Sequence, residues 1–258
     1  MRRMFNIALN TFRELIRNRI LTLITFFAFV MILFSQVLAS LSLGQTDRIV
    51  LDFGLAMIEI CGLIVVVFIG GQILFRELEG RTIYLILSKP IARRDFIFGK
   101  FLGFSAIILV LLLLQSVVLG GVLAFGHIAF DPLIFTAIAA IFAKLVLVFS
   151  IILFFSTFTN PLLSILVTMG VYIAAHSAST ILDMAARLKD PTLIWTGKIL
   201  TAIMPNFEAL NFAKNTLGTP IAITASAYGI NFGLALLYLA VVLILTVFIF
   251  EHKGFENA

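Results

Sequence analysis

Six long apolar stretches constrain the fold of this chain more than any other feature of its sequence. They cover residues 20–43, 53–75, 101–126, 132–158, 161–182 and 227–250. Each is long enough to form a helix that crosses the hydrocarbon core of a bilayer, which takes about 20 residues. The alternating pattern of about ten residues that marks a membrane β-barrel strand is absent. We therefore predict an all-α, polytopic membrane protein, with residues 1–258 forming a single transmembrane domain.

The composition excludes the other common classes of protein. Hydrophobic residues make up 62% of the chain and charged residues 12%, whereas a soluble domain is about a quarter charged. The single cysteine, Cys61, cannot build a disulfide framework or a cysteine-based metal site. His127 and His252 fall in predicted loops without companion ligands, so we expect neither a metal nor a cofactor in this chain.

Lysine and arginine are concentrated in two segments. Residues 1–19 carry five and residues 76–100 carry six, whereas 44–52 carries one and 127–131 none. Positive charge in short loops marks the cytoplasmic side, so we expect both termini in the cytoplasm and residues 183–226 outside. The net charge of +5 therefore reports topology and does not indicate nucleic-acid binding.

The segment before the first span is predicted to be an amphipathic helix over residues 4–19. At 100° per residue one face is apolar and the other carries Arg13 and Arg17. The apolar face consists of Phe5, Ala8, Leu9, Phe12, Leu15 and Ile16. Such a helix lies in the headgroup plane with its arginines toward anionic lipid. It serves as a membrane anchor, with or without a partner docked on its exposed face.

The outer segment, residues 183–226, carries helix start and stop signals. Pro191 is suited to a first helical position and Pro205 ends that helix, after which a second short helix follows. Trp195, Phe207 and Phe212 are expected at the water–lipid boundary. We predict short outer helices that lie in the interface or dip back into the bilayer, as a structural lid or as a gate.

The cytoplasmic connection, residues 76–100, is longer than a simple loop requires. It begins with charged residues, continues with an apolar stretch and, after a proline, ends with a group of basic residues. The apolar stretch contains Ile83, Leu85, Ile86 and Leu87. An apolar helix held at the membrane surface by charged ends is suited to fill a groove on another protein.

This connection resembles the segment between the second and third spans of ABC-2-type transporter permeases. The matching positions are Glu77, Glu79, Gly80, Thr82, the run Leu85-Ile86-Leu87-Ser88, Pro90, Arg93 and Gly99-Lys100. Arg81 departs from the pattern, because a threonine often follows the glycine there. The order of elements is similar over the whole chain. The stretch Met204-Pro205-Asn206-Phe207-Glu208 is also similar to a segment of permeases linked to multicopper-enzyme maturation.

The resemblance implies that residues 76–100 form a coupling helix that contacts a separate ATPase subunit. The residues implied in that contact are Glu77, Glu79, Gly80, Arg81, Thr82, Leu85, Leu87, Pro90, Arg93 and Arg94. It further implies two permease copies, identical or related, in a prokaryotic plasma membrane, and ATP and Mg bound by the partner ATPase. The chain itself lacks a Gly-x-x-x-x-Gly-Lys-[Ser/Thr] loop. We thus expect a non-enzymatic permease subunit of an exporter.

Two ionisable residues, Glu59 and Lys144, lie inside the apolar stretches. Glu59 is predicted about 9 Å below the outer end of the second span. Lys144 is near mid-depth if its helix starts at Pro132, and nearer the outer surface if residues 132–137 lie in the interface. The two residues form a structural pair, or contact water separately, or line the substrate path.

Two glycine pairs allow close helix approach. They are Gly99 with Gly103, and Gly229 with Gly233. We expect both to serve packing within the chain rather than between copies.

Two other functional classes fit the sequence less well. An ion-coupled or passive carrier tends to show repeated halves, and residues 1–126 and 127–258 show no convincing repeat. An intramembrane serine enzyme would need Ser105 and His176 in contact, but helix rise separates them by about 15 Å in depth. An ATPase gene beside this one would distinguish the permease from the carrier.

Overall fold

The structure, a computed structural model, describes residues 2–40, 46–75, 92–128, 132–188, 191–211 and 225–252. Those residues are helical with short connections, which confirms the predicted all-α class. The helices are α1 (Arg2–Ile16), α2 (Arg19–Ser40), α3 (Thr46–Ile73), α4 (Arg93–Phe125), α5 (Leu133–Ser156), α6 (Pro161–Leu188), α7 (Pro191–Ile203) and α8 (Ala225–His252). Among the described residues, α2 to α6 and α8 are long and apolar enough to cross a membrane.

Several spanning helices extend beyond the apolar stretches that predicted them. The helix α3 begins at Thr46, where the sequence placed its start at residue 53, and α4 begins at Arg93 in place of residue 101. Backbone hydrogen bonding continues a helix outside the hydrocarbon, and local polar pairs support these extra turns. Arg48 and Asp52 form an ion pair at 3.5 Å one turn apart in α3.

We call the end of the bundle that carries the N-terminal arginines and Arg93 the basic side. Arg93 Nη1 donates hydrogen bonds to the carbonyl oxygens of Phe250 and Glu251, at 3.2 and 2.9 Å. The Phe96 and Phe250 rings stack with centroids 6.0 Å apart. The start of α4 is therefore fastened to the end of α8.

The core of the bundle lies between α3, α4 and α5. The Phe104 and Phe149 rings stack with centroids 4.1 Å apart. A Cβ atom on Gly70 would lie 3.0 Å from the Phe149 ring, so a side chain there would press on this contact. A single π-helical turn over Val66–Gly70 carries α3 past these rings. Close packing here fixes the relative depth of the three helices.

The helix α1 packs against α4 along the glycine pair Gly99 and Gly103. A Cβ atom on Gly103 would lie 2.5 Å from the Ala8 carbonyl oxygen, and one on Gly99 would lie 2.8 Å from Ile7. Leu15 is buried, while Phe5 is exposed. The single apolar face that the sequence predicted is thus divided, because one part packs on α4 and the other stays outward.

The helix α7 turns back along α6 instead of continuing away from the bundle. A Cβ atom on Gly197 would lie 3.0 Å from Leu182, and Phe207 reaches Tyr172 in the middle of α6. Later residues of α7 therefore meet earlier residues of α6, so the two run antiparallel. We call α7 together with residues 204–211 the re-entrant segment. The expected second outer helix appears only as a 3₁₀ turn over Glu208–Leu210, and residues 212–224 lie outside the described residues.

Of the three aromatic residues expected at the water–lipid boundary, Phe212 lies outside the described residues and the other two have different environments. Trp195 is 69% exposed, whereas Phe207 is 0% exposed. The prediction for Phe207 is wrong, because the re-entrant segment carries it into the bundle. Irregular backbone at membrane depth is tolerated where protein surrounds it, and Phe207 and Leu210 are both buried.

Candidate functional site

A buried ion pair joins α3 to α5. Lys144 Nζ lies 2.7 Å from both carboxylate oxygens of Glu59, and the Lys144 side chain is 1% exposed. A charge removed from water needs a close opposite charge to remain ionised. The structure therefore brings together the two ionisable residues that the sequence placed inside the spans.

The pair lies at the middle of both helices. Glu59 is about 20 Å along α3 from Thr46 by helix rise, of which the first turns, residues 46–52, extend beyond the apolar stretch. Lys144 lies midway between Leu133 and Ser156, which agrees with the mid-depth alternative. Neither side chain is close enough to a helix end to reach the membrane surface by snorkelling.

Two residues of α6 extend the cluster. The Tyr172 hydroxyl donates a hydrogen bond to Glu59 Oε1 at 3.1 Å, so Glu59 accepts from both Lys144 and Tyr172. The Tyr172 and His176 rings stack with centroids 5.6 Å apart and an interplanar angle of 28°. His176 Nε2 in turn lies 3.8 Å from Glu208 Oε2 on the re-entrant segment. We call Glu59, Lys144, Tyr172, His176 and Glu208 the polar layer.

The re-entrant segment is attached to the spans by further contacts. The Tyr172 and Phe207 rings lie 5.5 Å apart between centroids. Asn231 Nδ2 of α8 donates a hydrogen bond to the Ala209 carbonyl oxygen at 3.0 Å. The segment therefore closes the bundle between α6 and α8 at the depth of the polar layer.

Charge and access give the polar layer its chemical character. Glu59 and Lys144 neutralise each other, whereas Glu208 faces a histidine that is charged only when protonated. The side chains of His176 and Glu208 are about a third and a quarter exposed. The layer is thus neutral and buried at Lys144, and partly accessible where the re-entrant segment meets α6. Such a site can bind polar groups.

Gln115 of α4 is a further buried polar residue at this depth. The helices α3 and α4 run antiparallel, because Gly54 contacts Leu119 and Gly70 contacts Phe104. By this register Gln115 lies about level with Ile58, the residue before Glu59 in α3. Its side chain is fully buried, and its amide nitrogen and oxygen have no hydrogen-bond partner among the described residues. Unpartnered buried amides are rare in native proteins.

Sequence reasoning missed Gln115 and Tyr172, and it placed Glu208 in an outer segment that lies in the interface or dips back into the bilayer. An isolated glutamine or tyrosine inside an apolar stretch was the available signal. Nothing local showed that Tyr172 and Glu208 lie near Glu59, since these contacts join residues far apart in the chain.

Most of the predicted coupling residues lie outside the described residues. They are Glu77, Glu79, Gly80, Arg81, Thr82, Leu85, Leu87 and Pro90. Of the two that are described, Arg93 binds the end of α8 and Arg94 is exposed beside it. The described part of the connection therefore joins directly onto α4 and α8.

The two glycine pairs have different surroundings. Gly99 and Gly103 pack on α1, whereas a Cβ atom on Gly229 or Gly233 would meet nothing within 4 Å among the described residues. The close helix approach expected at the second pair is therefore not seen there. That face of α8 is directed outward.

Comparison with known proteins gives one match. A family model described as ABC-2 family transporter protein matches residues 5–255, nearly the whole chain. No curated protein matches the chain. The similarity to permeases linked to multicopper-enzyme maturation stays a prediction.

Proposed function

Since the chain belongs to the ABC-2 transporter family, we propose that this permease subunit belongs to an ATP-driven exporter that works with a separate ATPase. The family and its apolar helices make it a multi-pass membrane protein. The observation that carries the finer proposal is the polar layer, because ionisable groups in the middle of a bundle are costly unless they serve a function. ATP and Mg are bound by the partner.

The polar layer is the part of the substrate path that this chain contributes at mid-depth. Tyr172 and His176 present polar groups from α6, and Lys144 holds the Glu59 carboxylate in place. The re-entrant segment closes the layer through the contact of Glu208 with His176. Cargo passage requires the re-entrant segment to move, which breaks the 3.8 Å contact of Glu208 with His176 together with the Phe207–Tyr172 and Ala209–Asn231 contacts.

Motion from the ATPase enters through residues 76–91 and continues into α4. Arg93 and Phe96 connect the first turn of α4 to the end of α8, and Gly99 and Gly103 connect it to α1. A displacement of the start of α4 therefore moves α1 and α8 with it. Close-packed contacts of this kind transmit rigid-body shifts.

The basic side is cytoplasmic, as the distribution of lysine and arginine in short loops indicates. Two copies of the chain, or this chain and a related one, complete the path. The outward apolar faces of α2 and α8 are available for lipid and for the second copy.

An ion-coupled carrier is the second candidate, and the re-entrant segment favours it. Helices that stop near the bilayer midplane occur at the binding sites of such carriers, and α7 ends at the depth of the polar layer. The two functions differ in their dependence on a separate ATPase.

The test is reconstitution of the purified chain with and without its ATPase subunit. We expect no ATP hydrolysis from the chain alone and ATP-dependent transport from the complex. The double variant Leu85→Asp/Leu87→Asp should lose the ATPase, since each large apolar side chain buried at a contact is worth about 1.5–3 kcal/mol. The matched control, Leu85→Ile/Leu87→Ile, should retain it. Hydrolysis by the pure chain, or normal assembly of the double Asp variant, would contradict the proposal.

A further inference from the structure

A cavity of about 220 Å³ lies between α5, α8 and the re-entrant segment. Leu147 of α5 lies in its wall, three residues after Lys144. Ala209 of the re-entrant segment also lines the cavity and directly follows Glu208. The cavity therefore adjoins the polar layer at mid-depth, with α8 as its other wall.

The wall of this cavity is apolar apart from Asn206, Asn231 and Tyr238. The other described residues that line it have aliphatic side chains or are methionine and proline, and none of them carries a charge. The cavity thus differs from the neighbouring polar layer, which is built from ionisable side chains. Its chemistry favours an apolar ligand with a small uncharged polar group.

The two asparagines are oriented by one residue that lies between them. Asn206 Oδ1 accepts a hydrogen bond from the Ala209 N–H at 3.0 Å, and Asn231 Nδ2 donates one to the Ala209 carbonyl oxygen at 3.0 Å. A side-chain amide combines a donor nitrogen with an acceptor oxygen. The groups that Ala209 does not use are therefore Asn206 Nδ2, a donor, and Asn231 Oδ1, an acceptor. A hydroxyl or an amide, which both accepts and donates, is the complementary ligand group.

The cavity is open to the hydrocarbon of the bilayer. Leu234 and Leu237 line it and are also exposed on the outward face of α8. An ionised molecule is strongly disfavoured in that hydrocarbon, and the described wall offers no charge to compensate it. Water alone is also unsuitable, because each buried water needs about two to four polar partners and the volume would hold about seven waters.

We propose that the cavity binds an uncharged amphipathic molecule, with its hydroxyl or amide group toward Asn206 and Asn231 and its apolar body against the leucines. A cavity of about 150 Å³ lined by aliphatic and aromatic side chains binds benzene, so this one has room for about nine non-hydrogen atoms. That is the size of a medium-chain alcohol, or of one side group of a larger molecule. Uncharged amphiphiles are then the class of cargo, a step that rests on the proposed function.

The re-entrant segment closes this cavity as well as the polar layer. Met204, Pro205 and Leu210 form part of the wall, and Phe207 packs on Tyr172. Withdrawal of the segment would remove that part of the wall. The same movement therefore opens the polar layer and releases a molecule bound in the cavity.

The test is photolabelling of the full chain in phosphatidylcholine nanodiscs with an octanol that carries a diazirine on its alkyl chain. Mass spectrometry locates the adducts. We expect adducts on Leu147 and Leu210, which are 1% and 3% exposed, in excess of those on the exposed leucines of α2. Unlabelled octanol should compete, whereas octanoate and octylammonium at equal concentration in the membrane should not. Adducts confined to the outward faces, or equal competition by either ion, would overturn the proposal.

A matched pair of variants on α8 makes the test specific. Ala235→Leu enlarges a side chain that lines the cavity, whereas Ala240→Leu makes the same change at an exposed position. Ala235→Leu should lose the adducts on Leu210, and Ala240→Leu should keep them. Leu147→Phe fills the cavity from α5 and should act like Ala235→Leu. A misfolded variant would gain adducts throughout the core, so a selective loss reports filling of the cavity. Equal labelling of the Ala235 and Ala240 variants would refute binding there.

The labelling does not need the ATPase, so its result is separate from that of the reconstitution. Selective labelling of a chain that assembles with no ATPase would refute the proposed function and support binding in the cavity. No labelling of the cavity in a transporter that hydrolyses ATP and exports would refute the binding and leave the exporter assignment intact.

Discussion

Removing the Lys144 ammonium should destabilise the protein strongly. The variant Lys144→Met keeps the length of the side chain but leaves the Glu59 carboxylate, whose side chain is 16% exposed, without its 2.7 Å partner. Loss of one member of a buried ion pair costs about 3–5 kcal/mol. The Tyr172 hydroxyl still donates to Glu59, so we expect a value near the low end, about 3 kcal/mol.

The assay is thermal unfolding of the purified chain in detergent. For a protein of this size a loss of 1 kcal/mol lowers Tm by about 2–4 °C, so we expect Lys144→Met to lower it by about 6–12 °C. The double variant Lys144→Met/Glu59→Gln should recover most of the loss, because replacing both charges in a buried pair is often close to neutral. Leu145→Met, a volume-conserving change at the neighbouring buried position, should cost less than about 1.5 kcal/mol.

The comparison of the single and double variants can refute the reasoning. If Lys144→Met unfolds at the temperature of the unchanged protein, Glu59 is solvated and does not depend on the pair. If the double variant is as unstable as the single one, the loss comes from packing of the lysine stem and not from an unpaired carboxylate. Either result would remove the structural role that we assign to the pair.

Two further predictions concern helix contacts on the basic side. Gly103→Val places a Cβ atom 2.5 Å from the Ala8 carbonyl oxygen, so α1 should detach from α4 and limited trypsin digestion within α1 should become faster. The control Gly233→Val, at an open position, should be digested at the same rate as the unchanged protein. Equal digestion rates for the two variants would contradict the packing of α1 on Gly103. Arg93→Met removes two hydrogen bonds to the last carbonyl groups of α8, so amide hydrogen exchange in the final turn of α8 should become faster. Arg94→Met, at the exposed neighbouring position, should leave that exchange rate unchanged. An unchanged exchange rate in the Arg93→Met variant would show that this contact does not hold the end of α8.

The element types were predictable because they depend on short stretches of sequence. The apolar stretches predicted each span, and Pro191 and Pro205 predicted the extent of α7 to within two residues. The start of α3 was not predictable from hydropathy, because residues 46–52 are polar enough to resemble a loop. Their helix is supported by backbone hydrogen bonding and by the Arg48–Asp52 pair.

The candidate site was only partly predictable. The sequence identified Glu59 and Lys144 because a charge inside an apolar stretch is conspicuous, and it left open whether they meet. It gave no reason to select Tyr172 or Gln115, since a single polar side chain in a span is common. The glycine pairs illustrate the same limit, because Gly99 and Gly229 begin the same motif and, within the described part of the chain, only the first packs on another helix.

Local sequence determined that this chain is helical, that it resides in a membrane and where most of its helices lie. Backbone groups in hydrocarbon must pair within their own segment, so length and apolar content are sufficient for those conclusions. Tertiary structure alone decided that α7 returns along α6 and brings Phe207 and Glu208 to the depth of Glu59. That outcome depends on side chains of distant helices fitting together, as Gly197 does against Leu182, and such complementarity is a property of the packed bundle and not of any one segment.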